Sequence, residues 1–259
     1  MKEFDEFVSI MKRLRKECPW DKEQTHESLK KHFVEEAYEA LDAIDRKNFN
    51  DLRGELGDVA LQVVFHSIIA EEENAFTLED VFTEINEKLI RRHPHVFGTT
   101  VVNSSHEQSA LWDSIKLQEG RNSVLDGIPQ SLPALMKAEK VQRKASKVGF
   151  DWPTKEEVWK KVEEEINELH SAVASNNHDE VNKEFGDLLF SLVNYARFIN
   201  VHPEEALQAT VKKFTVRFQY IEEQLKEQGK DIHQTSLKEM DKLWEESKSQ
   251  KDAKHSLNS

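Results

Sequence analysis

Residues 33–65 read "FVEEAYEALDAIDRKNFNDLRGELGDVALQVVF", and residues 161–198 read "KVEEEINELHSAVASNNHDEVNKEFGDLLFSLVNYARF". Each stretch carries E-E-x-x-E, a loop, and then E-x-G-D opening a strongly apolar run. Glu35, Glu36 and Glu39 match Glu164, Glu165 and Glu168 at an offset of 129 residues, and Glu55, Gly57 and Asp58 match Glu184, Gly186 and Asp187 at the same offset. Two further elements follow in order. Lys88-x-x-x-Arg92 matches Lys213-x-x-x-Arg217 at an offset of 125, and "LWDSIK" at 111–116 matches "LWEESK" at 243–248 at an offset of 132. Four elements recurring in one order mark a duplicated domain.

The repeated unit is helical. Apolar residues recur at three- and four-residue spacing along most of the chain, as amphipathic helices require. Glycine (eight) and proline (six) are scarce, and no run of alternating β-branched residues suggests a strand. The expected fold is all-α, with tandem duplicated helical bundles over residues 1–118 and 134–248. "EGRNSVLDGIPQSLP", residues 119–133, gathers turn-forming residues and reads as the linker. The last residues, 249–259, lack an apolar face and read as a disordered tail.

Composition narrows the function. The chain of 259 residues has 36 basic and 49 acidic side chains, a net charge of −13, which disfavours bulk nucleic-acid binding. One cysteine, Cys18, cannot form an internal disulfide, and no signal peptide is evident, so the expected compartment is the cytoplasm. The longest apolar run, Val59–Ala70, includes Gln62 and His66 and is too short to span a bilayer.

The acids are the candidate site. At roughly 100° per residue from Val34, Glu35, Glu39 and Glu36 fall near 100°, 140° and 200°, while Val34, Ala37, Leu41 and Ile44 cluster opposite. In the second copy Ile166, Leu169 and Val173 oppose the glutamates in the same way. A lone acidic stripe is usually a solvated face. Here a second pair, Glu55/Asp58 or Glu184/Asp187, is expected at the N-terminal end of a helix apolar nearly all round and therefore buried. Carboxylates entering a core helix are costly unless paired or metal-bound. Gly57 and Gly186, each tolerated inside a helix, suggest close packing that a side chain would block. Oxygen-only ligands suit a hard cation, Mg²⁺ or Mn²⁺. The repeated basic pairs, Lys88/Arg92 and Lys213/Arg217, then suit phosphate, as does Lys161, one turn before Glu165. Its first-half counterpart is His32. Trp112 and Trp244 are either packing anchors or base-stacking platforms. Trp20 and Trp152 sit in helix-start sequences and read as structural.

Two rival classes are weaker. A di-iron carboxylate bundle needs two Glu-x-x-His motifs, and only Glu23–His26 fits. A non-catalytic acidic scaffold has no use for duplicated buried acids. No P-loop pattern occurs.

E-E-x-x-E followed by E-x-x-D resembles the all-α nucleoside triphosphate pyrophosphohydrolases, and the duplicated layout resembles bacterial MazG. "CPWDKEQTHESL", "KLIRRHPHVF" and "GIPQSLPALMKAEKVQRKASKVGFDW" support it, and the likeness runs from about residue 7 to 248. The resemblance implies Mg²⁺-dependent hydrolysis of ribo- and deoxyribonucleoside triphosphates to monophosphate and pyrophosphate, by a homodimer that cleans or adjusts nucleotide pools. A dUTP-restricted enzyme is the nearest alternative. It implies Glu165, Glu168, Glu184 and Asp187 as metal ligands, with Glu36, Glu39, Glu55 and Asp58 as first-half equivalents. Lys161, Lys213 and Arg217 match phosphate-binding positions and Trp244 the base-side aromatic. Glu180 stands where a relative has Lys, and Lys183 lies nearer the site. Glu164 is the candidate general base. The second half, with Lys161 in place of His32, is expected to be the main site.

Overall fold

The chain is described from a computed structural model, covering residues 1–102, 104, 107–108, 111–112, 115 and 123–255, with side chains to 249. Residues 119–122 of the expected linker, 256–259 of the expected tail, and 113, 114 and 116 of the "LWDSIK" element lie outside the described residues. The described residues contain helices and no strand, and divide into two units, Met1–Glu119 and Gly120–Ser259.

In the first unit α1 (Lys2–Glu17), α2 (Pro19–Glu23), α3 (His26–Asp45), α4 (Phe49–Glu72), α5 (Leu78–Arg92) and α6 (Pro94–Phe97) follow one another. Thr25 and Ser28 form a reciprocal capping box that starts α3. Asn48 caps α4 through its side-chain oxygen, and Lys47 turns the chain in the left-handed region at φ 54°. The result is an α3–α4 hairpin. Its core lies at one end, where Met11 of α1 buries together with Leu29, Val64, Phe65, Ile68 and Ile69. Arg15 locks this end. Its guanidinium pairs with Glu72 at 2.9 Å, donates to the Gln24 carbonyl at 2.9 Å, and lies 6.0 Å from the centre of the Phe65 ring.

The second unit repeats the hairpin. After α7 (Ala134–Ser146), α8 (Lys155–Ser175) and α9 (His178–Phe198) pack along their lengths, then α10 (Pro203–Glu227), a 3₁₀ turn (Ile232–Gln234) and α11 (Leu237–His255) follow. Asn177 caps α9 as Asn48 caps α4, and Asn176 takes the left-handed turn at φ 56°. A separate cluster of Ile221, Leu225 and Leu243 joins α10 to α11. Helix α11 continues through His255, into the stretch expected to be disordered.

Three expectations are corrected. The second acid pair does not open its helix: Asn48 and Asn177 start α4 and α9 earlier, so Glu55 and Glu184 stand in the second turn. The expected burial of both apolar faces is also incomplete. Val34, Leu41, Ile44, Leu56, Phe185 and Phe190 are each about half exposed within one chain, while residues such as Ala40, Ala43 and Val162 on the same hairpins are buried. Finally, a Cβ at Gly57 or Gly186 would meet nothing within 4 Å. Neither glycine is required by packing inside the chain.

Candidate metal and nucleotide centre

The α8–α9 hairpin sets two acid-bearing faces against each other. Oxygens of Glu165, Glu184 and Asp187 all lie within 4.8 Å of one another. Glu165 is only 5% exposed, so its charge needs a partner. Lys161 supplies it, placing its Nζ 2.7 Å from Glu165 and 2.7 Å from Glu164. Those two hydrogen bonds hold the Lys161 pKa above its ordinary range. Lys183 donates to Glu184 at 2.9 Å, which raises its pKa too. Glu168 stands just outside the trio. Desolvation, then the charge of Glu165, push its carboxyl pKa up, with Glu184 and Glu164 adding to the push. Like charges held this close favour a cation among them.

The first unit reproduces the acids. Oxygens of Glu36, Glu39 and Glu55 lie within 4.8 Å of one another, and Asp58 completes the set electrostatically. Desolvation raises the Glu36 pKa first, followed by the charges of Asp58, Glu39 and Glu55. Desolvation and the Glu39 charge do the same for Glu55. His32 occupies the Lys161 position and reaches Glu35 at 3.1 Å, a weaker counterpart of the lysine bridge.

The basic pairs are placed less closely. Lys213 and Arg217 lie on α10, which packs on α7 and α11, and neither forms an ion pair or hydrogen bond with the α8–α9 acids. The Arg217 guanidinium sits 5.5 Å over the Trp244 ring, and its buried Nε has no partner. Trp244 also packs on Phe214, with ring centres 5.2 Å apart, beside the α10–α11 cluster. In the first unit Lys88 and Arg92 lie on α5, packed on α4 and α6, and Trp112 lies 5.8 Å from the ring of His93.

The sequence reading missed the cleft beside the second acid cluster. It encloses about 270 Å³, with Lys161, Glu165 and Asp187 on its lining and Trp152, Phe190, Ser191 and Asn194 around the rest. Asp151 and Arg197 hold one wall in place. Arg197 donates to Asp151 Oδ2 at 2.8 Å and to the Asn194 side-chain oxygen at 2.9 Å. Asp151 in turn accepts from the Trp152 backbone N–H at 2.8 Å. The hydrogen bond from Arg197 keeps the Asp151 pKa below its ordinary value. A signal was present in the repeat itself. At the 129-residue offset Asn194 corresponds to Phe65, so a polar residue replaces a core aromatic.

This duplicated acidic architecture has close relatives. The profile of the MazG nucleotide pyrophosphohydrolase domain matches residues 24–97 and 153–221, one copy per unit. The chain belongs to the MazG family. Each MazG match spans one acid-bearing hairpin, α3–α4 in the first unit and α8–α9 in the second. The chain is 48% identical to the nucleoside triphosphate pyrophosphohydrolase/pyrophosphatase MazG of Thermotoga maritima, over 95% of either chain. It is 43% identical to the nucleoside triphosphate pyrophosphohydrolase of Escherichia coli, over 96% of this chain and 98% of that one. It is also 50% identical to the uncharacterized protein YabN of Bacillus subtilis, whose length it matches over 52%.

Proposed function

We propose that this MazG chain hydrolyses nucleoside triphosphates, ribo and deoxyribo, to the monophosphate and pyrophosphate, and that the second unit is the working site. The trio of Glu165, Glu184 and Asp187 carries this reading, because it joins a cation-type cluster to a partly exposed lysine and a cleft. The donors fit Mg²⁺ or Mn²⁺: every group is a carboxylate, and desolvation followed by the charge of Glu165 raises the Glu168 pKa. Glu165, Glu168, Glu184 and Asp187 would hold the ion. Bound there, it would polarise phosphate oxygens and increase the acidity of water.

The chain's own residues do the rest. Glu164 accepts from Lys161 through Oε1, which leaves its second oxygen to take a proton from water. Attack at the α-phosphorus breaks its bond to the bridging oxygen, and pyrophosphate leaves with that electron pair. Lys161 and Lys183 offset charge gathering on the phosphates. Lys213 and Arg217 would serve the outer phosphates, with Trp244 holding Arg217 in place. In the first unit Glu36, Glu39, Glu55 and Asp58 keep the ion-binding set, with Lys88, Arg92 and Trp112 as the corresponding outer residues.

A homodimer is part of the proposal. Phe185, Leu192, Val211 and Phe214 are each between 40% and 56% exposed on one chain, an apolar surface suited to a second copy. No helix among the described residues is long and apolar enough to cross a membrane. We place the enzyme in the cytoplasm, acting on free nucleotides rather than on polymers, in nucleotide-pool cleaning or regulation.

Phosphorus NMR of the products tests the reaction. Monophosphate plus pyrophosphate, abolished by EDTA, is expected from a mixture of nucleoside triphosphates with Mg²⁺. Diphosphate plus orthophosphate would move the attack to the γ-phosphorus and refute it.

A further inference from the structure

A pair of ionisable rings in the first unit has no counterpart at the matching positions of the second. His26 is the first residue of α3, and His66 lies within α4, next to the buried Phe65. Their ring planes are 5° apart and their Nδ1 atoms lie 2.7 Å from each other. The Phe33 ring stands edge-on to His66, with centres 6.0 Å apart. At the 129-residue offset Lys155 and Tyr195 replace the two histidines, so the second unit cannot form this contact.

Such a short approach of two ring nitrogens fixes the number of protons. One Nδ1 carries the hydrogen and donates it, and the other must offer a lone pair. With both rings neutral the bond forms. With one ring protonated it persists as a charge-assisted bond. With both protonated, two N–H groups and two positive charges face each other, and the contact cannot stand. The start of α3 makes this worse, because the helix dipole opposes positive charge at an N-terminus.

The charged groups on the surrounding helices are matched elsewhere. From α1, Arg15 pairs with Glu72 and Lys12 with Glu71 of α4, and Arg15 also donates to the backbone carbonyl of Asp21 in α2. On α3, Glu27 pairs with Lys30 and His32 with Glu35, and on α5 Asp80 accepts from Thr77. Burial first, and the charge of His26 second, hold the His66 pKa below its ordinary value.

We propose that His26 and His66 form a proton-operated latch between the start of α3 and the middle of α4, closed while at least one ring is neutral and released when both are charged. Acid then opens the first unit at this end and leaves the second closed. The folded pair takes its second proton less readily than the open chain does. Closure is therefore complete above the ordinary histidine pKa of about 6.5 and weakens as the pH falls below it.

Hydrogen exchange of the full chain at pH 7.5 and 5.5, read by mass spectrometry and corrected for the intrinsic effect of pH, tests this. The opening constant of peptides covering residues 26–33 and 61–69 should rise about threefold or more in acid. One histidine of ordinary pKa contributes up to about tenfold over that span. Peptides at 155–162 and 190–198, the matching stretches, should change by less than about threefold. A smaller rise in the first unit, or a rise of that size in the second, overturns the proposal. His66→Tyr and, independently, His26→Phe should each abolish the rise, whereas His32→Gln, which removes the contact with Glu35 instead, should keep it. A folded pair variant that keeps the rise, or a His32→Gln protein that loses it, refutes the latch. The wild-type comparison decides alone if a variant does not fold.

Discussion

The first and second units share their acids and differ one to three turns further along the second helix of the hairpin. Glu36, Glu39, Glu55 and Asp58 have counterparts in Glu165, Glu168, Glu184 and Asp187, and each set brings three carboxylates within 4.8 Å. Below them the first unit closes over Phe65, whose ring packs with Met11, Leu29 and Arg15. The second places Asn194 and Arg197 there and stays open. A carboxylate cluster can thus persist while the neighbouring turns decide whether anything larger fits beside it. Lys161 against His32 adds to the contrast, since a permanent charge bridges two glutamates only in the second unit.

Several perturbations sharpen or break this comparison. The largest effect is expected from Phe65→Ala, which should lower the stability of the first unit by about 3–5 kcal/mol through cavity formation. Calorimetry resolving the two units measures it, and a loss below about 1 kcal/mol would contradict a filled floor. Arg197→Met removes the donor to two acceptors, Asp151 and Asn194, in the second unit and should cost about 1–3 kcal/mol. Its contribution has a pH signature. Because Arg197 holds the Asp151 pKa below 3.8, the stabilisation is present above that value and is lost as the pH falls through the depressed pKa. Urea titrations at pH 7 and pH 3 should therefore show the Arg197→Met penalty shrinking in acid.

Gly186→Ala should act more weakly. With open space around its Cβ in one chain, it should gain about 1 kcal/mol from helix propensity. If the substitution instead splits a dimer in sedimentation experiments, the glycine serves close approach of a second copy. The smallest effect concerns His66, stacked on His26 with ring centres 5.0 Å apart. Burial, then the His26 charge, lower its pKa below 6.5. The unfolded chain therefore binds the proton more readily, and the first unit should lose stability as the pH falls through 6.5. His66→Tyr, which copies Tyr195 at the matching position, should flatten that dependence in melting curves at pH 7.5 and 5.5.

The helical architecture and the repeat were legible because both are periodic. Helix faces follow residue spacing, and Glu35 to Asp58 reappear at one offset. The helix starts were missed although Asn48 and Asn177 also stand 129 residues apart, a capping signal obscured by the apolar run that follows Asp58 and Asp187. The glycines misled because their tolerance in a helix has no packing cause within the chain. Trp152 read as a helix-start residue. Its neighbours Asn194 and Arg197 lie more than forty residues away in sequence, held by the Asp151 pair, and local pattern carries no trace of that contact. Lys213 and Arg217 were legible as a repeated pair, but spacing alone did not reveal that α10 packs on α7 and α11.

The central claim is that the chemistry belongs to the second unit. Turnover of ATP by Glu168→Gln and by Glu39→Gln, compared in the full chain at saturating Mg²⁺, tests it most directly. Glu168→Gln should lose about 100-fold or more, as expected for a disturbed metal site, and Glu39→Gln should stay within about threefold of wild type. Equal losses, or a loss confined to Glu39→Gln, would contradict the account.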